Sequence, residues 1–187
     1  MHKTTCLKIL KKLSATELRR FREYVESPFF NKNERVQTLC ALIYEDAPDF
    51  DHENLDKKVL FPKLFDNQPY SRLPINNIVS DLQQLLLDFL AYEELSTTPD
   101  WNIIPQMKAL QKHEMPQLIE QRARRYRQIQ VKSTVENAAF FYQQSQFFDQ
   151  LDKLFLNKQK RGYDKNLQLR NDALDRYYQI SKLQIAC

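Results

Sequence analysis

Residues 75–95, INNIVSDLQQLLLDFLAYEEL, form the stretch around which we expect the rest of the chain to pack. At 100° per residue, the apolar and aromatic side chains of this stretch fall on one arc about 160° wide, and the polar side chains take the other side. The pattern predicts a helix of about six turns with a broad core face. Leu87 stands on the polar side, so we expect a second element to cover the helix from behind. The predicted core face consists of Ile75, Ile78, Val79, Leu82, Leu85, Leu86, Phe89, Leu90 and Tyr92.

The amino-acid composition points to helices along the whole chain. Its 187 residues include one glycine, Gly162, where average usage gives about 13. Most tight hairpins, the phosphate-binding glycine loops and the dinucleotide fingerprint need glycine, so this count removes most such hairpins and both kinds of glycine-rich motif. Residue types that favour helices are abundant instead. We therefore predict an all-α fold, built as an antiparallel bundle or as helical hairpins, with an α-solenoid as the extended form of the same architecture.

Two capping signals precede the long helix. The sequence SATE at residues 14–17 is a capping box, which predicts the start of a helix. Pro28 forces this helix to end at about the preceding residue. The next two residues, Phe29 and Phe30, are expected to pack inward as an apolar plug. The sequence NKNE at residues 31–34 repeats the cap-plus-three spacing and predicts that Asn31 caps the following helix.

Residues 45–56, EDAPDFDHENLD, form an acidic connection with six carboxylates. Asp49 and Asp51 have the alternation of a calcium loop, but Asn54 stands where such a loop needs glycine, and a leucine replaces its closing glutamate. We interpret the segment as a loop whose Asp56 or Asn54 caps the next helix. We expect no metal and no other cofactor.

Three runs of sequence resemble the start of a family of uncharacterised all-helical bacterial proteins. They are LSATELRRFREYVESPFFNKNE at residues 13–34, PDFDHENLDKKVLFPKLF at residues 48–65 and SDLQQLLLDFL at residues 80–90. The most distinctive motif is SPFFN at residues 27–31, and the resemblance covers residues 7–95. It implies that this chain is the N-terminal part of a longer protein, whose later part resembles stacked helical hairpins of the tetratricopeptide type. It implies no activity and no site residues.

The segment STTPD, residues 96–100, is the most linker-like stretch. We place a boundary there, between an N-terminal helical subdomain (1–95) and a helical-hairpin subdomain (101–187). Residues 1–100 hold 13 Lys and Arg against 16 Asp and Glu, a net charge of −3, and residues 101–187 hold 15 against 8, a net charge of +7. This split fits a polyanion-binding half, two halves that attract each other, or a solvated surface.

Residues 122–132, RARRYRQIQVK, contain five cations and no acid. On a helical wheel the arginines fan around the polar side, whereas a phosphate-binding helix needs several cations at one groove. The candidate polyanion contacts are Arg124, Arg125 and Arg127, because guanidinium groups can make paired bonds to phosphates.

The last two predicted helices start about 33 residues apart, a period typical of helical-hairpin repeats, although the Leu-Gly pair of the tetratricopeptide signature is missing. The final helix keeps its apolar pattern up to the end, without the polar cap that a repeat stack needs. We expect this helix to dimerise, to bind a partner or to continue into further residues. The candidate interaction edge is Leu169, Tyr177, Ile180 and Leu183.

The reactive side chains do not favour an enzyme. The three histidines and three cysteines are scattered, without a nucleophile, base and oxyanion arrangement. No apolar run reaches the ~20 residues of a membrane span, and the apolar part of the N-terminus is too short for a secretory signal, so we expect a cytoplasmic protein without a membrane partner. We predict a helical interaction or scaffold module that binds a protein partner or itself. The alternative is a nucleic-acid-binding protein that uses the basic second half.

Overall fold

The computed structural model describes residues 4–50, 53–66, 68–98, 100–131, 136–157 and 165–186. These residues form nine α-helices and one turn of 3₁₀-helix, with no β-strand among them, so the predicted all-α fold is confirmed. The helices are α1 (Thr5–Leu10), α2 (Ala15–Glu26), α3 (Glu34–Tyr44), the 3₁₀ turn (Glu53–Leu55), α4 (Lys57–Leu64), α5 (Arg72–Ser96), α6 (Ile103–Lys112), α7 (Pro116–Gln130), α8 (Ala138–Asn157) and α9 (Lys165–Ala186).

The chain divides into two compact units, Met1–Glu94 and Leu95–Cys187. Each unit has its own cluster of buried apolar side chains. The division lies near the end of α5, which belongs almost entirely to the first unit. A repeat or solenoid architecture stays a prediction. No helix in the described ranges is long and apolar enough to span a lipid bilayer.

Helix α5 is the long helix that the sequence predicts, and its inner face lies in the core of the first unit. Two expectations about this helix are wrong. The side chain of Leu87 is 43% exposed, so no second element of the described chain covers it. Tyr92 is exposed as well and lies outside the core face. The buried residues of α5 are Ile75, Ile78, Val79, Leu82, Leu86 and Phe89.

Capping side chains determine where α2 and α3 begin. The Ser14 hydroxyl accepts a hydrogen bond from the Glu17 N–H, and the Glu17 carboxylate accepts one from the Ser14 N–H at 2.7 Å, so the predicted capping box is confirmed. The N-cap of α3 is Asn33, whose side chain accepts from the Arg35 N–H at 3.1 Å. The prediction that Asn31 caps this helix is therefore wrong, because its side chain is directed back onto α2.

Two cysteines lie in the core of the first unit. Cys6 of α1 and Cys40 of α3 are buried free thiols. Burial raises the pKa of each thiol to about 12, so both stay protonated at neutral pH. The hydroxyl of Tyr44 donates to the Leu18 carbonyl and joins α3 to α2.

The core of the second unit lies between α6, α7 and α8. Tyr126 of α7 stacks on Phe147 of α8, with ring centroids 4.2 Å apart. Burial, together with the charge of Asp100, raises the pKa of the Tyr126 hydroxyl. Asp100, in the segment predicted as a linker, is itself buried and accepts a hydrogen bond from the Gln130 amide at 3.0 Å.

Helices α8 and α9 form an antiparallel hairpin. Asp149 of α8 bonds Arg170 near the start of α9, and Tyr142 near the start of α8 contacts Tyr177 further along α9. The hairpin therefore fixes one face of α9 against α8 and leaves the rest of the helix surface uncovered by α8.

Candidate functional site

Helix α7 carries the arginines that the sequence indicates. Pro116 at its first position has the fixed φ that suits a helix start. Arg124, Arg125 and Arg127 are all exposed. They lie on the sides of the helix that do not face the core, because the inward line is occupied by Ile119, Ala123 and Tyr126.

Two shallow grooves lie beside these arginines. Arg124 and Arg125, with Arg122 and two glutamines, line a groove of about 280 Å³. Arg124 and Arg127 line a second groove of about 290 Å³, whose floor includes the apolar side chains of Ala123, Leu151 and Leu154. The arginines thus divide between two grooves, and Arg124 alone belongs to both.

One carboxylate lies near these arginines, because Glu120 lines the second groove together with Arg124 and Arg127. In the part of the chain that the structure describes, no carboxylate forms an ion pair with Arg124, Arg125 or Arg127. Arg127 lies over the Phe147 ring, 5.8 Å from its centroid, which orients the guanidinium without neutralising its charge. The arrangement can therefore bind an anion such as a phosphate or a carboxylate.

The inner face of α9 includes half of the predicted interaction edge. Leu169 and Ile180 are half-buried on the side that packs on α8. Tyr177 lies at the border of this face and contacts Tyr142 of α8, with ring centroids 5.4 Å apart. Leu183 is exposed. Leu169 and Ile180 are thus part of the hairpin, and only Tyr177 and Leu183 are open to a partner.

A second face of α9, beside the face that packs on α8, is an apolar stripe that the predicted edge does not include. Leu167 is 42% exposed, Leu174 39%, Tyr178 60% and Ile185 82%. These residues lie seven, four and seven positions apart, so they follow one line about 27 Å long on the helix surface. We call these four residues the outer stripe. A helical wheel of residues 165–186 shows both apolar arcs, and this signal could have revealed the stripe from the sequence.

A polar cluster fixes α9 on α8. The Asp149 carboxylate accepts from Arg170 Nη1 at 3.1 Å, from Lys153 Nζ at 2.6 Å and from the Gln150 amide at 3.0 Å. Burial alone raises the pKa of Asp149, but the bonds and charges of Lys153 and Arg170 outweigh it and hold the pKa below its ordinary value. Asp149 is therefore a structural anion of the hairpin and not a proton donor at neutral pH.

The two phenylalanines of the SPFFN motif are exposed, so the expectation of an apolar plug is wrong. Phe29 is 85% exposed and Phe30 is 44% exposed. Phe30 stacks on Tyr24 of α2 with ring centroids 4.1 Å apart, and Phe29 meets the edge of Phe30 at 5.0 Å. We call Tyr24, Phe29 and Phe30 the aromatic ledge. Sequence reasoning missed it because the motif does not reveal whether its rings point inward or outward.

Asn31 holds the ledge in place. Its side-chain amide donates to the Val25 carbonyl at 3.0 Å, and its side-chain oxygen accepts from the Asn33 N–H at 2.9 Å. The Asn31 backbone N–H also donates to the Ser27 carbonyl at 2.9 Å. A buried amide thus joins the end of α2 to the start of α3 and directs the two phenylalanines outward.

The acidic connection contains a helix cap. Asp56 accepts from the Lys58 N–H at 2.8 Å and caps α4, which is one of the two caps that the sequence predicts. Asp49 is exposed, and Asp51 lies outside the described residues. Among the residues that the structure describes, no three His, Cys, Asp or Glu side chains come together as a metal site.

Comparisons of the chain with protein-family models, with curated proteins and with solved structures give no match. The basis for a function is therefore the geometry of α7, of α9 and of the aromatic ledge.

Proposed function

We propose that the protein is a helical interaction module that binds another protein surface through the outer stripe of α9, without catalytic chemistry of its own. The observation that supports it is the exposure of Leu167, Leu174, Tyr178 and Ile185 on one helix face. Single exposed apolar residues are ordinary on protein surfaces, but several along one helix face are typical of an interaction site.

The surroundings of the outer stripe resemble the rim of a protein interface. Arg170, Asp175 and Lys182 flank the stripe with charges of both signs. Apolar anchors surrounded by a polar rim are the usual anatomy of such an interface. The hairpin with α8 also forms α9 before any partner arrives, so binding does not have to supply the free energy of helix formation.

The aromatic ledge supports the same function in the first unit. Phe29 presents almost its whole ring to solvent, and Asn31 holds the loop that carries it. Aromatic side chains that are already held in place are typical anchors of protein interfaces, because little conformational entropy is lost when they bind. We propose the ledge as a second protein contact.

The experiment that tests this function is photo-cross-linking in cells that make the protein. Tyr178 is replaced by p-benzoylphenylalanine, which keeps an aromatic ring at the centre of the outer stripe. Val131 receives the same replacement as the control, because it is 87% exposed and lies at the end of α7, away from the stripe on the sequence. Illumination is expected to yield a protein adduct from position 178 and not from position 131.

Each outcome of this experiment decides the proposal. An adduct with any protein, including a second copy of the chain, supports an interaction module. The absence of any protein adduct from position 178, or equal adducts from both positions, would overturn it.

A second candidate function is polyanion binding by α7. The observation that favours it is that Arg124, Arg125 and Arg127 are exposed without an ion pair to a described carboxylate. A nucleic acid would place phosphates against these guanidinium groups and release counterions, so its affinity would fall steeply with salt.

Fluorescence anisotropy with a labelled DNA duplex at several salt concentrations tests this candidate. Replacing the three arginines by Ala is expected to weaken binding, and each lost phosphate contact should reduce the slope of log affinity against log salt by about 0.9. A matched variant replaces Lys8, Lys11 and Lys12 in the first unit and removes the same charge. Equal losses in both variants would indicate only a general charge effect and would exclude α7 as the specific contact.

A further inference from the structure

The outer stripe and two polar residues on the same face, Asn171 and Ser181, together form a heptad pattern. Leu167, Asn171, Leu174, Tyr178, Ser181 and Ile185 follow one another at spacings of four, three, four, three and four residues. Spacings that alternate between three and four residues are typical of the seam of a two-helix coiled coil. In such a seam the a and d positions of the heptad face the partner helix. In this frame the d positions are Leu167, Leu174 and Ser181, and the a positions are Asn171, Tyr178 and Ile185.

Four of the six seam residues, Leu167, Asn171, Leu174 and Ile185, are of the types that favour a dimer, and Tyr178 and Ser181 are not. Leu at d with a β-branched residue at a favours two parallel strands, and Ile185 is such a residue. A single Asn at an a position, as at Asn171, specifies register and oligomeric state, because its amide is satisfied only opposite a polar group. In a parallel pair, Asn171 would lie opposite Asn171 of the second copy.

The flanking charges select the direction of pairing. In a parallel pair, Arg170 at a g position comes close to Asp175 of the second copy at an e position. The Arg170 guanidinium bonds Asp149 through Nη1 at 3.1 Å and lies 3.8 Å from the Asp152 carboxylate, and it keeps further donors. Asp175 is exposed and has no ion pair with a described residue, so it is open to this contact. An antiparallel pair would instead bring the two copies of Asp175 together, and like charges repel.

We infer that α9 pairs in parallel with α9 of a second copy of this chain, along the seam from Leu167 to Ile185. The inference rests on the proposed function, since it names the partner of the same surface. The two-fold symmetry of such a pair makes every contact occur twice. The inner face of α9 stays on α8, so the hairpin does not open when the pair forms.

The first test measures the solution mass of the full chain by analytical ultracentrifugation, from about 1 µM to about 100 µM. The wild-type chain is expected to dimerise in this range. The double variant Leu174→Glu/Tyr178→Glu should raise the dimer dissociation constant about a hundredfold or more, since each charge enters the seam twice. The matched control, Val131→Glu, should dimerise as the wild type does. A wild-type chain that stays monomeric throughout, or a double variant that dimerises normally, would overturn the inference.

The second test determines direction and does not depend on a destabilising charge. Leu174→Cys and Tyr178→Cys are made separately in a chain with Cys187→Ser, mixed in equal amounts and oxidised, and the products are weighed by mass spectrometry. Parallel pairing joins like to like, giving 174–174 and 178–178 disulfides. A product dominated by 174–178 disulfides would overturn the parallel arrangement, and the absence of cross-links would overturn the pairing.

The failure of this inference can be told from the failure of the proposed function. A purified chain that is monomeric, together with a photo-adduct at position 178 to a different protein, overturns the second copy and leaves the interaction module standing. A monomeric chain without any adduct overturns both.

Discussion

Leu86 and Leu87 are neighbours on α5, yet only Leu86 lies in the core of the first unit. Leu86→Ala should lower the free energy of unfolding by about 2–5 kcal/mol, because it leaves a cavity among packed side chains. Leu87→Ala should change it by less than about 0.5 kcal/mol, because the side chain already contacts water. Urea unfolding followed by circular dichroism compares the two variants. Equal losses would contradict the burial of the two residues.

The side chain of Asn31 is buried and joins the end of α2 to the start of α3. Asn31→Ala removes the bond to the Val25 carbonyl and leaves that buried acceptor without its donor. The expected loss in the free energy of unfolding is about 1–3 kcal/mol. Lys32→Ala, at the exposed neighbouring position, is the control and should have little effect. A negligible loss in Asn31→Ala, measured by thermal unfolding, would show that the amide does not hold the loop.

The sequence predicts the role of a single residue well where the chemistry is local. The Ser14 and Glu17 capping box could be predicted because both partners lie within one turn of helix. The orientation of Phe29 and Phe30 could not, because an aromatic ring packs inward or outward according to tertiary neighbours. Tyr24, whose ring receives Phe30, also contacts Phe89 of α5. Phe89 lies far along the sequence from Tyr24, so only the fold brings these rings together.

At the scale of elements, the contact between α8 and α9 should depend on pH through Asp149. The pKa of this carboxyl is held below its ordinary value of about 3.9 by Lys153 and Arg170, against the effect of burial. A lowered pKa contributes stability above the ordinary value, and this stability is lost as the pH falls through the folded value. Asp149→Asn should therefore be less stable than the wild type at neutral pH by up to about 1 kcal/mol, and the difference should close in acid.

Thermal unfolding at several pH values measures this difference. Asp81→Asn, at an exposed position of α5, is the control and should show no such closing gap. If the gap between Asp149→Asn and the wild type stays constant into acid, the pKa of Asp149 is not lowered in the folded state.

The sequence predicts that the long helices exist. It predicts only in part which side of each helix faces its neighbours. α5 has one dominant apolar arc, so its core face follows from periodicity. α9 has two apolar arcs, and α8 packs against only one of them. Periodicity cannot decide which arc the neighbour takes, and for this reason the predicted edge mixes Leu169 and Ile180 of the inner face with Leu183.

For the whole molecule, two separate cores predict two separable unfolding events. The chain has one tryptophan, Trp101, and it belongs to the second unit. Leu86→Ala should shift the unfolding of the first unit, seen by circular dichroism, and leave the Trp101 fluorescence transition where it is. Ile119→Ala, in the second core, is the matched variant and should do the reverse. A common shift of both signals in both variants would show that the units unfold as one.

The two buried thiols of the first unit have a practical consequence for measuring its motions. Because Cys6 and Cys40 are enclosed and stay protonated at neutral pH, a thiol reagent can reach them only during a transient opening of the unit. In a chain with Cys187→Ser, the rate of their modification would report how often the native state opens, residue by residue, without an introduced probe. Leu86→Ala should increase the rate at which the two thiols are modified, because it destabilises the first unit. Ile119→Ala, in the second unit, should leave that rate unchanged.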